Sequence, residues 1–274
     1  MKQLIITADD FGKNSSVNKA IENAVKNGIL TNTSLMMNGN AVEEAVEIAK
    51  RLPTLQVGMH LVLSEGKALS PEVKSHWLVS SDRTFIGDLA KSGFMIYFSK
   101  KLQYQIRQEI IAQLDAFLAT GLTLKHVDCH HHFQIHPTIF SILLEEAKKR
   151  GVETIRIPVE NWNISKTVSS GHAIRNFFYR KVFGILGKTA RNTALEMNLK
   201  FVEGVFGLYK TGEIDEQWIL SLLDIIPDGT FELYTHPDII ENSPCYQEYL
   251  GLISPNVKEK IDKLKIKLIH YYDI

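Results

Sequence analysis

Little in this chain favours a secreted, membrane-spanning or nucleic-acid-binding protein. It has two cysteines, Cys129 and Cys245, too few for a disulfide framework, so a cytoplasmic setting is expected. No uninterrupted apolar stretch reaches the roughly 18 residues that would span a bilayer. The N-terminal apolar run, Leu4-Ile5-Ile6, is too short for the core of a secretory signal. Lys+Arg and Asp+Glu both number 31, so the basic excess of a duplex-binding protein is missing. Familiar catalytic signatures are also incomplete. Gly187-Lys188-Thr189 has the end of a phosphate-binding loop, but Val182 stands where its first glycine belongs. Neither a Gly-x-Ser-x-Gly elbow nor a His-Glu-x-x-His pair occurs.

What is present is a repeating strand-and-helix grammar. Leu4–Thr7 reads as a buried strand, and Val17, Ala20, Ile21, Ala24 and Val25 stripe a helix that Gly28 ends. Strands follow at Thr33–Met37, Leu55–His60, Leu124–Asp128, Thr154–Ile157 and Thr230–Thr235. Helices alternate with them at Ala41–Arg51, at Leu102–Leu118, from Pro137 to Arg150, and near Asp215–Ile225. This alternation indicates an α/β fold with mainly parallel strands and helical crossovers. Two stretches, 64–99 and 158–200, read as long inserted loops between barrel elements. With no linker-like tract, residues 1–274 are expected to form one domain, a length that α/β barrels commonly reach.

The informative fact is where Asp and His fall. Asp9-Asp10 follow the first strand, His60 ends the third, His126-Val127-Asp128-Cys129-His130-His131-His132 ends another, and His236 ends a later one. In a parallel α/β barrel, the C-terminal strand ends converge on one face, where active sites are built. An Asp often only caps a turn. Two adjacent carboxylates repel, however, and a metal ion would relieve them, with one coordinating and the other free as a general base. His60 alone would pass for a hydrogen-bonded core residue. In an extended segment His130 and His132 point to one side and His131 to the other, so all three cannot bind one ion. Asp128 is placed to orient a ligand imidazole. Cys129, inside a buried strand end, reads as packing rather than as a nucleophile. The basic run Arg175, Arg180, Lys181, Lys188 and Arg191, interleaved with Phe177, Phe178, Tyr179 and Phe183, reads as an amphipathic helix covering the barrel or as a dimer contact.

Four motifs carry a resemblance: Thr7-Ala8-Asp9-Asp10-Phe11-Gly12, Gly58-Met59-His60-Leu61, the 126–132 segment, and Glu232-Leu233-Tyr234-Thr235-His236-Pro237. In this order they resemble the YdjC-like carbohydrate deacetylases, which include chitooligosaccharide deacetylases of the ChbG type. The resemblance implies a distorted TIM-like (β/α) barrel with fewer than eight regular strands, a homodimer, and one divalent ion, magnesium. It implies Asp10, His60 and His130 as metal ligands, Asp9 as general base, His236 as general acid, and Arg156 as a residue orienting the site. Two imidazoles and a carboxylate by themselves suit zinc or another transition ion. The implied reaction is removal of acetyl from an N-acetylated sugar, with neither nucleic acid nor membrane as partner. The same ligands would also serve hydrolysis of another amide or a phosphate ester, or a non-catalytic metal- or sugar-binding role. The chain departs from the family at Gln134, where a further His is usual, with His136 beyond it, and at Tyr271-Tyr272-Asp273 in place of Tyr-Arg-Asp.

Overall fold

The computed structural model describes residues 1–168 and 173–274. The elements run β1 (Lys2–Phe11), α1 (Ser15–Asn27), β2 (Asn32–Leu35), α2 (Val42–Arg51), β3 (Gln56–Leu61), α3 (Leu89–Phe98) and α4 (Lys100–Ala119). They continue with β4 (His126–Cys129), α5 (Pro137–Lys148), β5 (Thr154–Ile155), α6 (Trp162–Ser165), α7 (Ala173–Glu196), β6 (Gly204–Phe206) and α8 (Glu216–Ile225). The last are β7 (Gly229–Thr235), α9 (Tyr246–Ile253), α10 (Pro255–Lys263) and β8 (Lys267–Leu268). Of the stretches expected as inserted loops, 64–99 holds α3 and 158–200 holds α6 and all of α7, and part of the latter lies outside the described residues.

The strands form one parallel sheet in the order β5-β4-β3-β2-β1-β7-β6, which curls into a partly open barrel. β1 is the hub. β7 pairs along it from Lys2 to Ala8, β2 pairs from Thr7 onward, and β8 takes Gln3 and Leu4. A strand enclosed in this way must be apolar on both faces, and Leu4, Ile5, Ile6 and Ala8 are wholly buried. The resemblance implied fewer than eight regular strands. Eight are present among the described residues, but β5 and β8 have two residues each. The gap between β5 and β6 is bridged by backbone bonds, Ile155 N to Lys200 O at 3.0 Å and Val205 N to Val159 O at 3.0 Å.

Helix ends follow local chemistry. The Asn14 side chain accepts from Val17 N at the start of α1. His136 caps α5, with Pro137 in its first turn. The 64–88 stretch is irregular yet fastened. Glu109 of α4 accepts from Leu69 N and Ser70 N, and Arg83 donates to the carbonyls of Ala68 and Ser70. α7 is a helix, as the basic and aromatic run implied. It packs on α5, but Phe177, Phe178, Val182 and Ile185 remain exposed, so its cover of the barrel is partial. No helix among the described residues is long and apolar enough to cross a membrane.

Gly58 sets the spacing of β3 and β4 beneath the site. A Cβ there would lie 2.9 Å from His126 Cδ2 and 3.0 Å from its carbonyl oxygen. The His126 ring has no room to retreat, because it stacks on Tyr271 at 3.5 Å and its Nδ1 lies 3.1 Å from Thr154 Oγ1. Gly58→Ala should therefore lower unfolding free energy by about 1–3 kcal/mol, the usual cost of overpacking, measured by urea denaturation.

Candidate functional site

The site sits at the C-terminal ends of β1, β3, β4 and β7. Register brings them level: Ala8 pairs with Thr235, and His60 with Asp128. Consecutive residues in a regular strand leave opposite faces, so Asp9 and Asp10 should diverge. They do not, because β1 is bulged between Ala8 and Phe11 with Asp10 in the left-handed region at φ 65°. Bulges re-aim side chains in this way. Asp9 turns to Arg156 and His236, and Asp10 turns to His60 and His130.

Asp10, His60 and His130 come together. Asp10 Oδ1 lies 2.9 Å from His130 Nδ1 and 3.4 Å from His60 Nε2, and one donor atom from each of the three falls within 4.8 Å of the others. Neither approach is aligned as a hydrogen bond. Asp10 Oδ1 and His60 Nε2 are thus buried without a hydrogen-bond partner among the described residues. Buried polar atoms are rarely left so, and a site for a cation is one standard reason. Asp9, His60 and Asp128 are equally close. Their atoms are committed, however. Asp128 accepts from Ser34 Oγ at 2.5 Å and lies 2.6 Å from His60 Nδ1, while Asp9 is held by Arg156. The first trio is the one whose free atoms fit a cation.

Electrostatics agree. Burial opposes charge on His60, but Asp128, Asp9 and Asp10 outweigh it and raise its pKa to about 10. Burial likewise opposes charge on His130, and Asp10 and Glu65 raise it. Asp10 resists its own burial, because His130 and His60 hold its carboxyl well below the usual range. Imidazoles charged by surrounding carboxylates mark a negative pocket, in which a cation would displace the protons.

The expectation of an extended, alternating His130–His132 segment is corrected. Residues 130–135 form a 3-10 turn in which His131 and His132 are both left-handed, at φ 55° and 53°. Each ring therefore takes its own direction. His130 meets Asp10, His131 Nδ1 lies 3.1 Å from Ser64 Oγ, and His132 Nε2 lies 3.0 Å from the Tyr234 hydroxyl. Asp128 does orient an imidazole, but it is that of His60 across the sheet. Cys129 is fully buried, with its thiol pKa pushed up by burial, in keeping with packing.

His236 follows β7, with Nε2 3.9 Å from Asp9 Oδ2 and Nδ1 3.8 Å from Glu248 Oε2. Burial opposes its charge, but Glu248, Asp10 and Asp9 raise its pKa to about 9. A cavity of about 340 Å³ opens over Asp9 and His236, walled by His132, Tyr234, Tyr179 and Phe183.

Arg156 is wholly buried beneath these groups. It grips Asp9 bidentately at 2.7 and 2.8 Å, meets Glu232 through Nε at 2.9 Å and Nη2 at 2.7 Å, and lies 3.1 Å from Asp128. Glu232 also accepts from Thr7 Oγ1 at 2.6 Å and from the Tyr271 hydroxyl at 2.5 Å. Glu248 and Glu65 were not singled out from the sequence, and Glu232 and Tyr271 appeared there only within motifs, without a role. A signal existed for Glu232: a carboxylate between Phe231 and Leu233 in a buried strand needs a counter-charge. Gln134 is also buried here, its Nε2 3.4 Å from the Arg156 carbonyl oxygen.

Removing the guanidinium would leave three buried carboxylates without their counter-charge. Arg156→Met should cost about 3–5 kcal/mol in urea denaturation at neutral pH, and Arg156→Lys, a single-point donor, should cost less.

The YdjC-like protein family model matches residues 3–263. The carbohydrate deacetylase of Clostridium beijerinckii is 29% identical over 282 residues, covering 99% of this chain and 100% of that protein. That of Geobacillus stearothermophilus is 30% identical over 277 residues, covering 97% and 96%. A crystal structure from Enterococcus faecalis V583, a candidate cellobiose-phosphate cleavage protein, matches with a TM-score of 0.77 and 25% identity over 99% of this chain and 98% of that one. With the four strand-end motifs assembled on one face of a curled parallel sheet and the family match running nearly end to end, this chain belongs to the YdjC-like family.

Proposed function

We propose that this chain is a carbohydrate deacetylase that removes acetyl groups from N-acetylated sugars by metal-assisted hydrolysis, with chitooligosaccharides as the first substrates to test. The carrying observation is the buried trio Asp10, His60 and His130, with Asp10 Oδ1 and His60 Nε2 lacking a hydrogen-bond partner among the described residues, beside Asp9 and His236 at the cavity. The relatives named carbohydrate deacetylase align over nearly their whole lengths, which supports the same chemistry here.

Asp10, His60 and His130 would hold the ion, which when bound supplies Lewis-acid polarisation of the acetamide carbonyl. Magnesium follows from the family resemblance, whereas the two imidazole donors favour zinc or another transition ion. Asp9, held by Arg156, takes a proton from the water that adds to the carbonyl carbon. His236, charged beside Glu248, gives a proton to the nitrogen as the C–N bond breaks. Acetate and the free amine leave. Residues 1–274 act as one catalytic domain. The exposed aromatic side of α3 and α7 supports a homodimer, and the two free cysteines suit the cytoplasm.

Acetate release from N-acetylglucosamine oligomers, with acetyl and phosphate esters as rival substrates, tests the reading. Release should stop on chelation and return with added divalent ion; activity indifferent to chelation would overturn the metal role. Asp9→Asn should retain metal binding but lose about 10²–10⁴-fold in kcat, the usual share of a general base. The charged form of His236 is the active acid, and it is lost as pH rises through its folded pKa. Its limb of kcat/KM should therefore fall with increasing pH near about 9, lower if a bound cation depresses that pKa, and should vanish in His236→Ala.

A further inference from the structure

The two histidines of the trio are built alike. His60 turns Nε2 toward Asp10 at 3.4 Å and has its other nitrogen 2.6 Å from a carboxylate, Asp128. His130 turns Nδ1 toward Asp10 at 2.9 Å and has its other nitrogen 3.3 Å from a carboxylate, Glu65, an ion-pair approach longer than that of His60 and not aligned as a hydrogen bond. A ligand imidazole with its far nitrogen on a carboxylate is fixed in tautomer and direction, and its ligating nitrogen becomes a better donor. We propose that Glu65 positions His130, presenting Nδ1 to the cation shared with Asp10 and His60.

Glu65 is itself placed rather than merely nearby. Lys13 Nζ joins it at 3.2 Å to the same network, and meets Asp10 Oδ2 at 3.0 Å, which leaves Oδ1 for the ion. Asn38 Nδ2 donates to the Glu65 carbonyl at 2.9 Å, and Phe85 N donates to the Gly66 carbonyl at 2.9 Å. Four residues on, Glu109 fastens Leu69 and Ser70 to α4. The 64–88 loop thus brings a carboxylate to the open side of the trio, while Asp128 serves its sheet side.

This inference rests on the metal reading above, so the test carries a control for it. Binding of Zn²⁺ and of Co²⁺ alone to the full chain is measured by calorimetry, with the Co²⁺ visible spectrum taken at saturation. Glu65→Ala should weaken affinity by about 10–100-fold, and Glu65→Gln by less. The saturated Co²⁺ spectrum and the metal-free unfolding midpoint should match the parent. Asp10→Ala should lose binding outright. Unchanged affinity in Glu65→Ala, with binding lost in Asp10→Ala, would overturn the positioning role and leave the trio standing. An altered saturated spectrum would make Glu65 a ligand instead. An affinity loss matched by a loss of metal-free stability would reduce it to a structural part. Affinity unchanged in both variants, or no binding by the parent, would remove the trio and this inference together.

Discussion

A guanidinium shut away from water must be surrounded by counter-charge, and Arg156 draws its own from three strands. Asp9 comes from β1, Asp128 from β4 and Glu232 from β7, while Arg156 itself lies just past β5. Desolvating four charged groups costs several kcal/mol apiece, recovered only when nearly every donor and acceptor is satisfied. That condition explains the partners around them: Thr7 and Tyr271 on Glu232, Ser34 on Asp128, and the bidentate grip on Asp9. It also explains the C-terminus. The segment after β8 brings Tyr271 under the sheet, where its hydroxyl completes Glu232 and its ring packs on His126.

On this platform stands a second layer that is not self-satisfied. Carboxylates outnumber permanent cations around Asp10, so His60, His130 and His236 are drawn toward their charged forms. The backbone is strained at the same place, with left-handed Asp10, His131 and His132, each of which costs on the order of 1–3 kcal/mol. Satisfied charges lie below and unsatisfied, strained ones above, so the two layers of the site differ in how far their charges are compensated.

Much of this was legible in order along the chain. Apolar runs punctuated by turn residues located β1, β3, β4 and β7, and the Asp and His at their ends marked the working face. Less legible were β6 and β8, with three and two residues, and the helices α9 and α10. Strands that short carry no periodicity of their own and exist because neighbours offer hydrogen bonds. The reading of 130–132 as extended failed for a related reason. Nothing in three consecutive histidines announces two left-handed residues, a conformation imposed by the contacts each ring makes.

The sequence by itself determined the parallel α/β pattern and which strand ends carry carboxylates and imidazoles, because apolar period and residue type are local. Only the tertiary structure decided which partner each group receives. It took a bulge in β1 to keep Asp9 and Asp10 on one working face, a turn to separate the three histidines, and a distant loop to bring Glu65 to His130. Those assignments depend on through-space distances between residues tens to hundreds of positions apart, and electrostatic partnership follows distance, not sequence order.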